Sequence, residues 1–334
     1  MSALAHRIGL RRRRSDRGVS LPVLAALAAA CVFIVIGCLS SNIFAEQTVA
    51  GLAQGAVYAS LALALVLIYR ATEVINFAQG EMAMASVYIA YQLLQWGFSY
   101  WEAFFVTLAV ALVLGIVIQV VLIRPVQHKS VIAVVIVTVG LFILIDGLVN
   151  WKWGGDIKFM QAPFGNKLYH VGAVTIARQD IGTLVITIGS VLILWILFQY
   201  TKLGLAMRAA ALRPAAAALV GVRVDWMLAI GWGLAAVLGA VAGLMAEPSQ
   251  FVLQPTLMQP ILLYAFAAAV LGGLESPAGA VVGGLTIGVF LNLVGQYVHF
   301  ITSELRLPFA FAVLLGVLVV KPTGLLGRGK VRKV

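Results

Sequence analysis

Long uninterrupted apolar runs are the feature that most constrains this chain. A helix crossing about 30 Å of hydrocarbon at about 1.5 Å per residue needs roughly 20 apolar residues. Such runs lie near 20–40, 48–69, 73–96, 101–123, 131–150, 180–200, 226–246, 259–275, 278–298 and 307–320. They are continuously apolar rather than alternating. That favours helices over barrel strands, since backbone polar groups inside lipid must be bonded internally. Composition agrees: 62% of the 334 residues are hydrophobic and 10% are charged, against about a quarter charged in a soluble domain. The expected fold class is an all-α polytopic membrane protein with about ten transmembrane helices.

Basic residues orient the expected helices, because Lys and Arg collect on the cytoplasmic side. With the N-terminal cluster Arg7, Arg11 to Arg14 and Arg17 inside, Arg70, Arg124, Lys129, Lys202, Arg208, Arg213, Arg223 and the tail from Lys321 to Lys333 also fall inside. Lys152, Lys158, Lys167, Arg178 and Arg306 fall outside. This predicts both termini in the cytoplasm. It divides the chain into a basic N-terminus (1–19), a transmembrane domain (20–320) holding a cytoplasmic loop (201–225), and a basic tail (321–334). The net charge of +11 is thereby a topology signal. It calls for no nucleic acid, and lipid headgroups are its natural partner. The run at 21–39 is long for a signal-peptide core and "NIFAE" is a poor cleavage site, so the first helix is read as retained. Cys31 and Cys38 share that helix and form no framework.

Catalytic and metal-binding patterns are absent from the sequence. The four histidines, His6, His128, His170 and His299, are scattered, and there is no H-E-x-x-H or G-x-S-x-G motif. "GLLGRGKV" at 324–331 resembles a phosphate-binding loop, but Val331 replaces the Ser or Thr and no helix can follow. The chain therefore has no visible means of hydrolysing ATP and is expected to bind no cofactor or metal.

One apolar run contains a dense polar block. "EVINFAQGEMAMASVYIA" at 73–90 carries Glu73, Asn76, Gln79, Gly80 and Glu81. Charges deep in a bilayer cost about 2.5–3.5 kcal/mol each on insertion scales and tend to be functional. Of the acidic candidates, Glu247 and Glu275 lie at expected helix ends, and Asp146 near an end is read as hydrated. Glu81 is deeper. On one straight helix it points roughly 140° away from Asn76. Gly80 is therefore the expected place for a break. A second irregular segment, 260–284, contains Pro260, Gly272, Gly273, Pro277 and Gly279. Interrupted segments in two halves point toward a transporter's solute path. Gly279, Gly283, Gly284 and Gly288 also read as close-packing faces.

The loop "TKLGLAMRAAALRPAAAALVGVRVD" at 201–225 predicts a helix of under two turns. Pro214 suits its first position, Ala215 to Ala218 favour it, and Gly221 suits a left-handed cap. Arg208, Arg213 and Arg223 flank it. So short a helix must pack on something.

These residues carry a resemblance. Over roughly 45–327 the sequence resembles the H-type permease subunit of branched-chain amino-acid (Liv-type) ABC importers. "GLAQGAVYASLALALVLIYRATEVINFAQGEMAMASVYIA" is similar to the family's opening block with its "INFAHGE" signature. "TKLGLAMRAAALRPAAAALVGV", "VLGGLESPAGAVVGGLTIG" and "KPTGLLG" match later blocks. The resemblance implies a bacterial cytoplasmic (inner) membrane protein that completes its pore with an M-type permease. Two ABC ATPase subunits would use ATP and Mg, and a periplasmic or extracellular solute-binding protein would deliver substrate. It also implies a solute path at Asn76, Phe77, Gln79, Gly80 and Glu81, with Gly272, Gly273 and Gly279 as the second segment. Coupling to the ATPases would involve Arg208, Arg213, Pro214, Ala216, Ala217 and Gly221. Three positions depart from the pattern: Ala215 replaces Glu in the coupling loop, Gln79 replaces His, and Glu275 replaces Gly. The rival reading is an ion-coupled secondary transporter of a small polar solute that uses Glu81.

Overall fold

The computed structural model describes residues 32–326 apart from Phe33, Leu39, His128, Asn166, Phe251, 299–304 and 322–323. The basic N-terminus, Cys31, most of the expected first helix and the end of the basic tail lie outside the described residues. The described chain is helical save for one small hairpin. Helix α1, Asn42–Thr72, is capped by the Ser41 hydroxyl, which accepts from the Phe44 amide. It ends at Glu73, whose φ of 55° is the one positive value on a non-glycine residue among the described residues. Residues 73–78 are not helical. Helix α2 is Gln79–Gln95.

Helix α3, Tyr100–Ile118, starts with a capping box between Ser99 and Glu102 and runs on into a π-helical turn, Gln119–Ile123. Helix α4, Val131–Trp153, is capped by Ser130 and stopped by Gly154 at φ 75°. Strands β1, Leu168–Val171, and β2, Val174–Ala177, form an antiparallel hairpin with Leu168 opposite Ala177. Then come α5, Arg178–Tyr200; α6, Lys202–Leu212; α7, Pro214–Leu219; and α8, Val224–Gln250. The described chain closes with α9, Met258–Gly272; α10, Pro277–Tyr297; and α11, Arg306–Val320.

Helix α1 is the central post and packs against α5, α8, α9 and α10. Small residues permit the closest approach. Gly55 and Ala59 of α1 lie against Gly284 and Gly288 of α10 so tightly that a Cβ on either α10 glycine would overlap α1 backbone. In lipid, where apolar burial drives helix pairing little, such contacts supply the van der Waals attraction. The same device recurs where Gly115 of α3 meets Gly233 of α8, and where Gly239 and Gly243 of α8 meet α2.

The expected count of about ten spans is corrected. Among the described residues six helices are long and apolar enough to cross a membrane: α1, α3 with its π turn, α4, α5, α8 and α10. The reasons are local. The expected span 73–96 loses its first residues to the non-helical stretch after Glu73, leaving 17 in α2. The expected span 259–275 stops at Gly273, whose φ is 102°, leaving 15 residues in α9. The expected span 307–320 is also a 15-residue helix. Fifteen residues rise only about 22 Å, short of the roughly 30 Å of hydrocarbon. The run near 20–40 is largely outside the described residues.

Candidate functional site

The polar block opens at the non-helical stretch between α1 and α2. The Asn76 carbonyl oxygen Oδ1 accepts from the Ala78 amide at 3.1 Å. Its Nδ2 donates to Gln79 Oε1 at 3.1 Å and approaches the Met82 sulfur at 3.7 Å. Gln79 in turn donates from Nε2 to the Ala235 carbonyl of α8 at 2.9 Å. All three of Asn76, Gln79 and Glu81 are buried. Leaving such groups unbonded in an apolar interior is costly. The Asn76–Gln79–Ala235 chain therefore pins the start of α2 to α8. Phe77 points the other way and is 43% exposed. The interruption lies at 73–78, before the helix. Gly80, the expected break, sits in the first turn of α2, where a Cβ would meet the Leu262 side chain.

That contact brings a second short helix to the site. Leu262 and Gln259 belong to the first turns of α9. Gln259 hydrogen-bonds the Glu81 carboxylate. Glu81 is 1% exposed, and its Oε2 has no hydrogen-bond partner. Two short helices thus meet by their N-terminal turns, beside a buried carboxylate. The remaining expected residues of the second segment sit at the opposite end of α9. Gly272 and Gly279 touch backbone to backbone, Gly273 makes the turn, and the amides of Leu325 and Leu326 donate to the carbonyls of Leu271 and Gly272. These glycines pack helices together and do not reach Glu81; Gln259 and Leu262 do.

Helix α4 completes the surroundings. Asp146 acts electrostatically on Glu81. Seven residues further along each helix, the Tyr88 and Trp153 rings lie 5.3 Å apart. Trp153 Nε1 also donates to Gln92 Oε1 at 3.0 Å. Matching seven-residue steps mean that α2 and α4 run parallel and in register, forming a polar seam. Asn150 on α4 donates to Asp146 Oδ1 at 3.2 Å. The expectation that Asp146 is a hydrated end residue misses this seam. A second miss is Glu247, expected at a hydrated helix end. It is 1% exposed, its Oε1 accepts from the Met160 amide at 3.3 Å, and its Oε2 is unpartnered. The loop preceding β1 folds over that end of α8 and excludes water. In the sequence, Gln259 was detectable only as a polar residue beside Pro260 at the start of an apolar run. Tyr88 gave no signal. Among the described residues no group of three or more His, Cys, Asp or Glu is placed to hold a metal ion.

The 201–225 connection holds the expected short helix. In α7 Pro214 occupies the first turn, and Gly221 follows at φ 84°. The Gly221 and Val222 amides donate to the Ala218 and Ala217 carbonyls. Ala217 is buried against the bundle, whereas Ala216 and Arg213 are exposed. Leu219 and Val220, absent from the expected set, are 89% and 79% exposed. Arg208 has a different task. Its guanidinium donates to the Gln199 side chain and carbonyl at 3.2 and 3.4 Å, tying α6 to the end of α5.

The chain is similar to known proteins along most of its length. Residues 47–318 match the family described as branched-chain amino acid transport system / permease component. The high-affinity branched-chain amino acid transport system permease protein LivH of Salmonella typhimurium is 31% identical over 305 residues, covering 87% of this chain and 98% of that protein. The corresponding protein BraD of Pseudomonas aeruginosa is 30% identical over 304 residues with the same coverage. A solved structure, PsaBC from Streptococcus pneumoniae in complex with Fab, aligns over 88% of this chain and 97% of that one at 13% identity and TM-score 0.46. A likeness at that level supports no conclusion about assembly. The family match and the near full-length coverage of relatives at 31% identity do support one: the chain belongs to the family of branched-chain amino-acid transport system permease components.

Proposed function

We propose that this permease carries branched-chain or related amino acids along a path past the meeting of α2 and α9. It is a transport subunit of an ABC-type importer, not an enzyme, and a multi-pass protein of the bacterial inner membrane. An M-type permease would complete the path, a solute-binding protein would deliver substrate, and two ATPase subunits would hydrolyse ATP with Mg. The observation that carries the path is the buried polar cluster at a non-helical stretch, with Glu81 left half-bonded inside an apolar bundle. Such backbone is tolerated at membrane depth only against protein or a water-lined cavity. In this reading Asn76, Gln79 and Gly80 shape and brace the path, while Phe77 and Glu81 border it. The α7 segment faces the ATPases: Arg213, Pro214, Ala216 and Gly221 present it, Ala217 anchors it, and Arg208 braces its base.

The test is reconstitution of the complex in proteoliposomes with external binding protein. Uptake of labelled leucine should require internal ATP hydrolysis and survive an uncoupler. Uptake abolished by the uncoupler at constant ATP would instead establish ion coupling through Glu81.

A further inference from the structure

We propose that Glu81 and Asp146 form a binding site for a primary ammonium group, the α-ammonium of the amino acid in transit. The proposal rests on the importer reading above and assigns its substrate chemistry. Three observations converge in the seam between α2 and α4. The first is the pairing of like charges. Glu81 is almost wholly buried and Asp146 acts on it across the seam, yet among the described residues the one salt bridge is Arg124–Asp225, far along the chain from both. Two carboxylates with no cation between them are an incomplete electrostatic unit in a medium that screens charge poorly. The second is an open valence: Gln259 bonds the Glu81 carboxylate, and Oε2 is left without a partner. The third is independent of the acids. The Tyr88 hydroxyl, two turns along the same face of α2, is fully buried and also lacks a partner.

An alkylammonium presents three N–H donors from one compact centre. Glu81 Oε2 and the Asp146 carboxylate supply acceptors for it, and the Tyr88 hydroxyl lies further along its route. Hard metal ions call for six or more oxygens, which this seam does not assemble; no group of three acidic or metal-binding residues occurs among the described residues. The apolar cluster of Met82, Leu141 and Ile145 borders the seam and suits an aliphatic side chain. A neutral amide of the same shape would leave both carboxylates uncompensated. The site therefore selects amine-bearing solutes over amides.

Buried carboxyl groups react with hydrophobic carbodiimides, and this gives the test. The assembled complex in proteoliposomes is labelled with dicyclohexylcarbodiimide, and modification at Glu81 is read by peptide mass spectrometry. Leucine and isoamylamine are expected to reduce labelling at least five-fold, and isovaleramide to leave it unchanged. Equal protection by isovaleramide, protection by sodium or potassium ions but not by the amines, or no labelling of Glu81 at all would each overturn the site. In parallel, Glu81→Gln and Asp146→Asn should each lower maximal leucine uptake at least ten-fold at saturating binding protein, with Glu81→Asp recovering part of it. Undiminished ATP-driven uptake in Glu81→Gln would overturn the ammonium site and leave the importer reading standing. Uptake independent of ATP in the unaltered complex would overturn that reading itself.

Discussion

Gln79 shows how a single side chain organises the polar block. Its amide accepts from Asn76 and donates to the Ala235 carbonyl, so it closes a bonded chain between the non-helical stretch and α8. Gln79→Ala would orphan Asn76 Nδ2 and the Ala235 carbonyl, both in the interior. Unsatisfied buried groups cost about 1–3 kcal/mol, so the thermal midpoint of the purified complex in detergent should fall measurably. Gln79→His, which restores the residue usual in the signature, retains a ring N–H donor and should lie between the two. An unchanged midpoint for Gln79→Ala would show the chain of bonds to be dispensable. Gly239 is the matching constraint on α8, since a Cβ there would lie 2.8 Å from Gln79 Nε2. The sequence made the polarity of residues 76–81 plain. It did not reveal that Asn76 and Gln79 bond to each other and to α8, leaving Glu81 as the group with spare capacity.

Between elements, glycines decide which helices touch. At Gly284 an added Cβ would collide with Ala59 backbone, whereas at Gly140 it would meet nothing within 4 Å. Backbone yields less than side chains, and overpacking typically costs about 1–3 kcal/mol, occasionally more. Gly284→Val should therefore destabilise the bundle by at least that amount in detergent melts, and Gly140→Ala should be close to neutral. Comparable melts for the two variants would contradict the α1–α10 contact. The α7 segment offers a conformational test. Gly221 sits at φ 84°, while a proline ring holds φ near about −65°. Gly221→Pro cannot keep the turn. It should abolish ATP-coupled uptake while membrane insertion, followed by fractionation, is retained. The start and stop of α7 were readable from Pro214 and Gly221, because each answers a local backbone demand. The glycine pairs read as close-packing faces, but which helix each face meets was not readable.

For the whole molecule, the exposed tip of α7 concerns assembly. Leu219 and Val220 are 89% and 79% exposed on a helix too short to hold itself. Aliphatic side chains presented this way suit burial in a partner's groove. Leu219→Asp with Val220→Asp should lower recovery of the ATPase subunits in co-purification at least ten-fold, a change of about 1.4 kcal/mol or more. Full recovery would place the ATPase contact elsewhere on the chain. At this scale the expected count of spans also changed. Runs near 73–96 and 259–275 looked alike in hydropathy to the full spans. Glu73 in a left-handed conformation and the turn at Gly273 shortened them to helices that meet by their N-terminal turns.

The sequence by itself determined that this chain is a bundle of membrane helices and where most of those helices lie. Run length, capping residues and turn residues are properties of neighbours along the chain, and the hydrocarbon thickness turns them into spans. Only the tertiary structure decided that Glu81 lies by Gln259 and Asp146, that Glu247 is sealed from water, and that Gly284 faces Ala59. Those contacts join residues on separate helices. They depend on rotation and register between helices, which close packing of small residues sets and which no periodicity within one segment encodes.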